Sequence, residues 1–224
     1  MKRILFLSVL ALFMARTSSA QTDRAMSLSL NFNPTFNWLN VSGNDAEKSK
    51  VGMGFDYGIN ADFFINHNDR YAITTGLTIS NINSKVNYKP DHAASINVAK
   101  FAENSSFSVD YRLKYIEVPV AFRLRTKQFD RFTGWGQFGL FTGWNFSAKA
   151  STSDNQLDDT NINKDVRLFN MGMNVGVGCE YDLGESNAVS LGLVYKNGFM
   201  NVMKHDLGDK STIKGLVLQV GFLF

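Results

Sequence analysis

The sequence predicts an all-β fold, an eight-stranded antiparallel up-and-down transmembrane β-barrel that is preceded by a cleaved signal peptide. Apolar and polar residues alternate through eight segments of the 224-residue chain, the period of strands whose two faces meet different surroundings. The connections alternate between long and short and begin and end with a long one, as a barrel with both termini in the periplasm requires. No stretch after the first 20 residues approaches the about 18 consecutive apolar residues of a membrane-spanning helix.

The first 20 residues have the pattern of a secretory signal peptide. Lys2 and Arg3 precede a short apolar run, and Ser18 and Ala20 supply the small residues of a cleavage site. The apolar run, residues 4–14, is too short to span a bilayer, which needs about 20 residues. We therefore expect cleavage after Ala20, which leaves residues 21–224 as a single barrel domain.

Charge and motif content argue against several classes of function. Without the leader's Lys2, Arg3 and Arg16, the 23 basic residues fall to 20 and balance the 20 acidic residues, so no nucleic-acid partner is expected. The single cysteine, Cys179, excludes an internal disulfide framework. The sequence has no phosphate loop, zinc spacing or dinucleotide fingerprint. We therefore expect no cofactor, no metal site and no catalytic residues, and interpret the three histidines as ordinary polar turn and loop residues.

The first half of the chain contains four predicted strands. The first covers residues 28–38 and carries Pro34, which costs a ladder hydrogen bond and suggests a bulge. The second covers residues 51–65, the third covers residues 71–80, and the fourth covers residues 111–126. The alternation fades between the third and fourth strands, so the longest connection is predicted from Ser84 to Asp110.

Four more strands are predicted in the second half, at residues 133–149, 169–181, 189–196 and 214–224. The sixth has the clearest pattern, with glycine and asparagine alternating against methionine, valine and aromatic residues. The last strand is expected to pair with the first and close the barrel. Phe224 and Phe222 end it with aromatic residues on one face.

The polar faces of these strands favour a membrane barrel over a soluble lipocalin-like barrel, although both alternate. Eight strands leave room for side chains but not for an aqueous channel, and glycine exposed on a soluble sheet would only weaken it. Charges inside such a barrel must be paired. We therefore predict a lumen charge network between four acids and three bases: Asp56, Asp62, Glu117, Glu180, Arg123, Arg125 and Lys196.

The fourth strand carries a motif. The run from Tyr115 through Glu117 and Pro119 resembles the Tyr-(Leu/Ile)-Glu-(Ile/Val)-Pro strand of PorT-like outer-membrane β-barrel proteins of the Bacteroidetes. The resemblance implies an outer-membrane barrel, and its name-giving member supports type IX protein secretion. Pro119 is interpreted as shaping a bulge, and Glu117 as pairing with Arg123 or Arg125. The ending with Phe222 and Phe224 is similar to the signal that the barrel-assembly machinery reads.

The leading hypothesis for function is a structural or accessory role of an integral outer-membrane barrel, with type IX-like secretion as one form of it. The alternatives are an outer-loop binding or adhesion protein, a loop-based lipid-modifying enzyme and a soluble periplasmic lipocalin-like carrier. The expected partners are outer-membrane lipid, the barrel-assembly machinery during insertion, and other envelope or secretion proteins.

Overall fold

The computed structural model describes residues 25–42, 50–66, 68–88, 107–152, 159–184, 186–204 and 210–224. The expected signal peptide, the three histidines and most of the long connection between the third and fourth strands lie outside these residues. No helix in the described part of the chain is long and apolar enough to cross a membrane.

The described residues form eight long strands and one short one. Their bounds are β1 Met26–Ser42, β2 Lys50–Ile65, β3 Asn68–Tyr88, β4 Phe107–Arg125, β5 Phe132–Thr152, β6 Thr160–Asn161, β7 Phe169–Gly184, β8 Asn187–Gly198 and β9 Lys210–Leu223. The two residues of β6 pair with the end of β5.

The eight long strands close into an antiparallel barrel, as predicted. Each pairs with its chain neighbours, and β1 pairs with β9 through partners such as Asn31 and Gly221. Phe224 extends this closure, because its backbone N–H donates to the Leu28 carbonyl at 3.0 Å. We call the two rims the long-loop end and the short-turn end after the connections that they carry.

The boundaries of the longest connection were predicted wrongly. β3 continues to Tyr88 and β4 begins at Phe107, so the connection is shorter than the predicted span from Ser84 to Asp110. The alternation does not fade here; it reverses its sense. Ile82 and Val86 point into the barrel and are buried, whereas Asn83 and Lys85 face outward.

Neither Pro34 nor Pro119 forms the expected bulge. The register is continuous on both sides of Pro119 and across the pair of Pro34 with Phe55. A proline removes an N–H without adding a residue, so the ladder loses a bond but keeps its register. The bulge on β5 is at Phe146, the unpaired residue between the pairs Lys114–Ser147 and Tyr115–Asn145.

The outer wall of the barrel is apolar, which is the arrangement of a membrane barrel and the reverse of a lipocalin-like carrier. Val177 and Met53 are 65% and 67% exposed. Aromatic rings pack near both rims. Tyr71 stacks on Phe122 near the short-turn end, and Trp144 meets Phe169 edge-on near the long-loop end. Such paired aromatic girdles mark the two membrane interfaces.

Candidate functional site

A lysine bridges two carboxylates in the middle of the lumen. The Lys196 Nζ of β8 lies 2.8 Å from Asp56 Oδ2 of β2 and 2.7 Å from Glu117 Oε2 of β4. The Ser80 hydroxyl donates to the second oxygen of Asp56 at 2.6 Å. Asp56 and Glu117 are 2% and 4% exposed, so water does not reach their charges. Lys196 compensates both charges inside the barrel.

The expected pairing of Glu117 with Arg123 or Arg125 is wrong. The three residues share the inward face of β4, but Arg123 follows Glu117 by six residues, about 20 Å along a strand. No side chain spans that distance. Glu117 therefore pairs across the lumen with Lys196 on β8.

The two arginines form a second charged layer nearer the short-turn end. Asp62 Oδ2 accepts from Arg123 Nη1 at 2.9 Å and from Arg125 Nη2 at 2.7 Å. Arg125 also reaches Glu180 Oε1 at 3.0 Å. The Thr74 hydroxyl donates to the other Asp62 oxygen at 2.6 Å. The structure thus brings the seven predicted lumen charges together, but in two separate layers.

Trp135 is a lumen residue that the sequence reasoning missed. Its Nε1 donates to the Ser190 hydroxyl at 3.0 Å, and the Arg123 guanidinium lies 4.9 Å from the ring centroid. A Cβ added at Gly192 would lie 2.3 Å from the ring, so this glycine makes room for the indole. Trp135 lies two residues before Gln137, so the alternation of β5 already placed it inside.

An apolar layer fills the lumen at the long-loop end. Leu39, Leu113 and Tyr115 from the strands pack there with residues from two of the long connections. These loop residues are Ile162, Val166 and Val202, each at most 4% exposed. We call this group of buried residues the apolar plug.

Backbone hydrogen bonds hold the two connections over the barrel. Ile162 N–H donates to the Ala148 carbonyl at 3.0 Å, and Arg167 N–H donates to the Val202 carbonyl at 2.7 Å. A third bond joins Lys204 N–H to the Asp165 carbonyl at 2.8 Å. The plug is therefore tied both to the β5 wall and across the two connections.

The three motif residues of β4 have different surroundings. Tyr115 packs in the apolar plug, Glu117 binds Lys196, and Pro119 lines a cavity of about 60 Å³ between the plug and the arginine layer. A wider pocket of about 330 Å³ opens at the short-turn end beside Arg125 and Glu180. Among the described residues, no group of three or more His, Cys, Asp or Glu side chains could hold a metal ion.

The carboxy-terminal aromatics lie on the closing strand. Phe222 faces the membrane side of the wall and is 43% exposed, while Phe224 is half-buried. Their reading by the assembly machinery stays a prediction.

A closed antiparallel barrel with an apolar outer wall, two aromatic girdles and an internally paired, filled lumen is an integral β-barrel of an outer membrane. The chain belongs to the outer membrane protein beta-barrel domain family, whose model matches residues 19–204.

Solved structures of outer-membrane barrels share this fold. Neisserial surface protein A (NspA) matches with a TM-score of 0.50 at 14% identity, over 91% of this chain and 98% of that one. OprG from Pseudomonas aeruginosa matches with a TM-score of 0.51 at 12% identity, over 90% and 97%. No curated protein sequence gives a significant match.

Proposed function

We propose that this protein is a structural or accessory component of the outer membrane rather than a channel or an enzyme. The observation that carries the proposal is the filled lumen. Two layers of paired charge and the apolar plug follow one another along the barrel axis. A continuous path through the barrel would require the plug to leave and the buried ion pairs to separate, at about 3–5 kcal/mol for each broken pair.

The proposal that the protein is not an enzyme has its own support. Each of the seven predicted lumen charges, all within the described ranges, lies in an ion pair, as Lys196 does with Asp56 and Glu117. The cavity beside Lys196, about 60 Å³, is far below the about 300 Å³ of an ordinary ligand pocket. In the wider pocket at the short-turn end, the Arg125 and Glu180 side chains pair with each other.

Conductance across a planar bilayer tests the closed lumen. The purified chain should insert without stable open-channel events, under conditions in which a porin control conducts. A variant lacking residues 160–166 should admit ions more readily, because it loses Ile162 and Val166 of the plug. Stable conductance of the unaltered protein would contradict the proposal.

A finer form of the role is support of type IX-like protein secretion. It rests on the resemblance of the strand with Tyr115, Glu117 and Pro119 to the PorT-like motif. Deleting the gene and comparing secreted proteins tests this form, with complementation by the wild-type chain as the control. Unchanged secretion in the deletion strain would exclude it while leaving the structural role intact.

Binding through the outer loops is a second candidate, because β3, β4 and β5 extend past the apolar part of the wall and carry two of these loops. Outward residues at the tops of these strands are polar, and Lys85 pairs with Asp110 at 3.3 Å. Replacing residues 89–106 with a short turn keeps both strands whole and should abolish binding to a surface partner. Binding that survives the replacement would argue against this connection.

A further inference from the structure

Along β3, β4 and β5, the outer wall changes from apolar to basic within two residues in the direction of the long-loop end. One lateral row consists of Ile79, Ile116 and Trp144, which are paired neighbours on β3, β4 and β5. The next outward row towards the long-loop end places Lys114 between Asn81 and Ser147. Two residues along a strand cover about 7 Å. The charged row therefore begins where the hydrocarbon region ends.

Four basic side chains form this surface, which we call the basic rim. They are Lys85, Arg112, Lys114 and Lys149. Two acids accompany them. Asp110 pairs with Lys85, and Asp159 bridges Arg112 and Lys149. Among the described residues, the rim thus carries four positive charges against two negative ones.

Two features leave positive charge available on the rim. Arg112 and Lys149 are direct cross-strand partners, an arrangement that repels unless an anion lies between them. Asp159 supplies one negative charge for these two cations. Lys114 is exposed and makes no ion pair with any residue in the described ranges.

We propose that the basic rim binds the phosphate groups of outer-leaflet lipid. This inference rests on the membrane position of the barrel and not on the structural role proposed above. Long loops of such barrels face outward, which puts the rim at the outer headgroup level. Arginine and lysine bind phosphate through charge-assisted hydrogen bonds, and arginine does so with a planar fork.

The wall below the rim identifies the ligand as a lipid rather than a free anion. Ile116, Trp144 and Phe146 lie directly below Lys114 and Arg112, and each is at least 36% exposed. One amphiphile would place its acyl chains against these side chains and its phosphate against the two cations. Inorganic phosphate would use only the second contact.

Lipid binding by the full-length barrel, purified in a neutral detergent, tests the proposal. The probes are a bisphosphorylated lipid A and the same lipid with its phosphates removed, with bound lipid counted by native mass spectrometry. The test variant is Arg112→Gln/Lys114→Gln. The matched control, Lys127→Gln/Arg131→Gln, makes the same charge change in the short turn between β4 and β5. Lys114→Gln alone breaks no ion pair among the described residues and guards against a folding defect.

The bisphosphorylated lipid should bind the double variant about 10- to 30-fold more weakly than the wild type, from the typical effect of two basic groups near a membrane surface. The control should stay within about twofold of the wild type. Lys114→Gln should lie between them, and the dephosphorylated lipid should bind all variants alike. Equal binding of the bisphosphorylated lipid by wild type and double variant would overturn the proposal. Displacement of that lipid by millimolar inorganic phosphate would also overturn it, since the site would then hold a free anion.

Discussion

Replacing Lys196 by methionine should strongly destabilise the barrel. The substitution keeps much of the side-chain volume but removes the cation that Asp56 and Glu117 share at 2.8 and 2.7 Å. Both carboxylates are almost fully buried, so neither gains water in exchange. Removing one partner of a buried ion pair costs about 3–5 kcal/mol. We expect a loss of at least this size in the free energy of unfolding.

Reversible urea unfolding in lipid vesicles measures this loss, with tryptophan fluorescence and heat-modifiable gel mobility as two readouts. The matched control is Lys85→Met, which removes a partly exposed ion pair with Asp110 and should cost less than about 1 kcal/mol. The triple variant Lys196→Met/Asp56→Asn/Glu117→Gln should recover at least half of the loss, because it also removes the stranded charges. If Lys196→Met costs no more than Lys85→Met, the assignment of a charge-compensating role to Lys196 is refuted.

Two further outcomes follow from local geometry. Gly192→Ala should destabilise the barrel by about 1–3 kcal/mol, because its Cβ would overlap the Trp135 ring. Unfolding titrations should show a smaller loss of stability when the same substitution is made in a Trp135→Phe background. An equal loss in both backgrounds would contradict the clash. Hydrogen bonding from Lys149, with the charge of Arg112 beside it, lowers the pKa of Asp159. The stabilisation from this interaction is fully present above the ordinary Asp pKa of about 3.9. It is lost as the pH falls through the lower pKa that Asp159 has in the folded protein. An NMR titration of Asp159 should show the low pKa and its rise in Lys149→Gln, and an unchanged value would refute the cause.

Strand positions and the inward direction of the lumen charges could be predicted because both follow from a local period of two. Asp56 and Glu117 alternate with apolar neighbours, and the structure buries them. The partner of Glu117 could not be predicted in this way. The partner depends on which residues of distant strands lie at the same height along the barrel axis. That height is set by the stagger between strands, which a sequence pattern does not contain.

The apolar plug escaped sequence analysis for a different reason. Ile162, Val166 and Val202 are isolated apolar residues in polar connections, so they have no periodicity to detect. The reversed alternation at Ile82 and Val86 is visible in the sequence, but a change of the apolar face resembles the end of a strand. A strand that leaves the membrane exchanges lipid for water outside, so its apolar side turns inward without any break in its period.

The bulge at Phe146 also has a consequence for insertions and deletions. Asn145 and Ala148 both face inward although an odd number of steps separates them, since Phe146 has no partner on β4. Loss of Phe146 would therefore give a regular ladder between β4 and β5. All remaining β5 side chains would stay on their present side of the barrel wall. Loss of a residue such as Leu140 would instead turn one arm of β5 inside out. Phe146 is thus a position at which the length of this strand is free to vary by one residue.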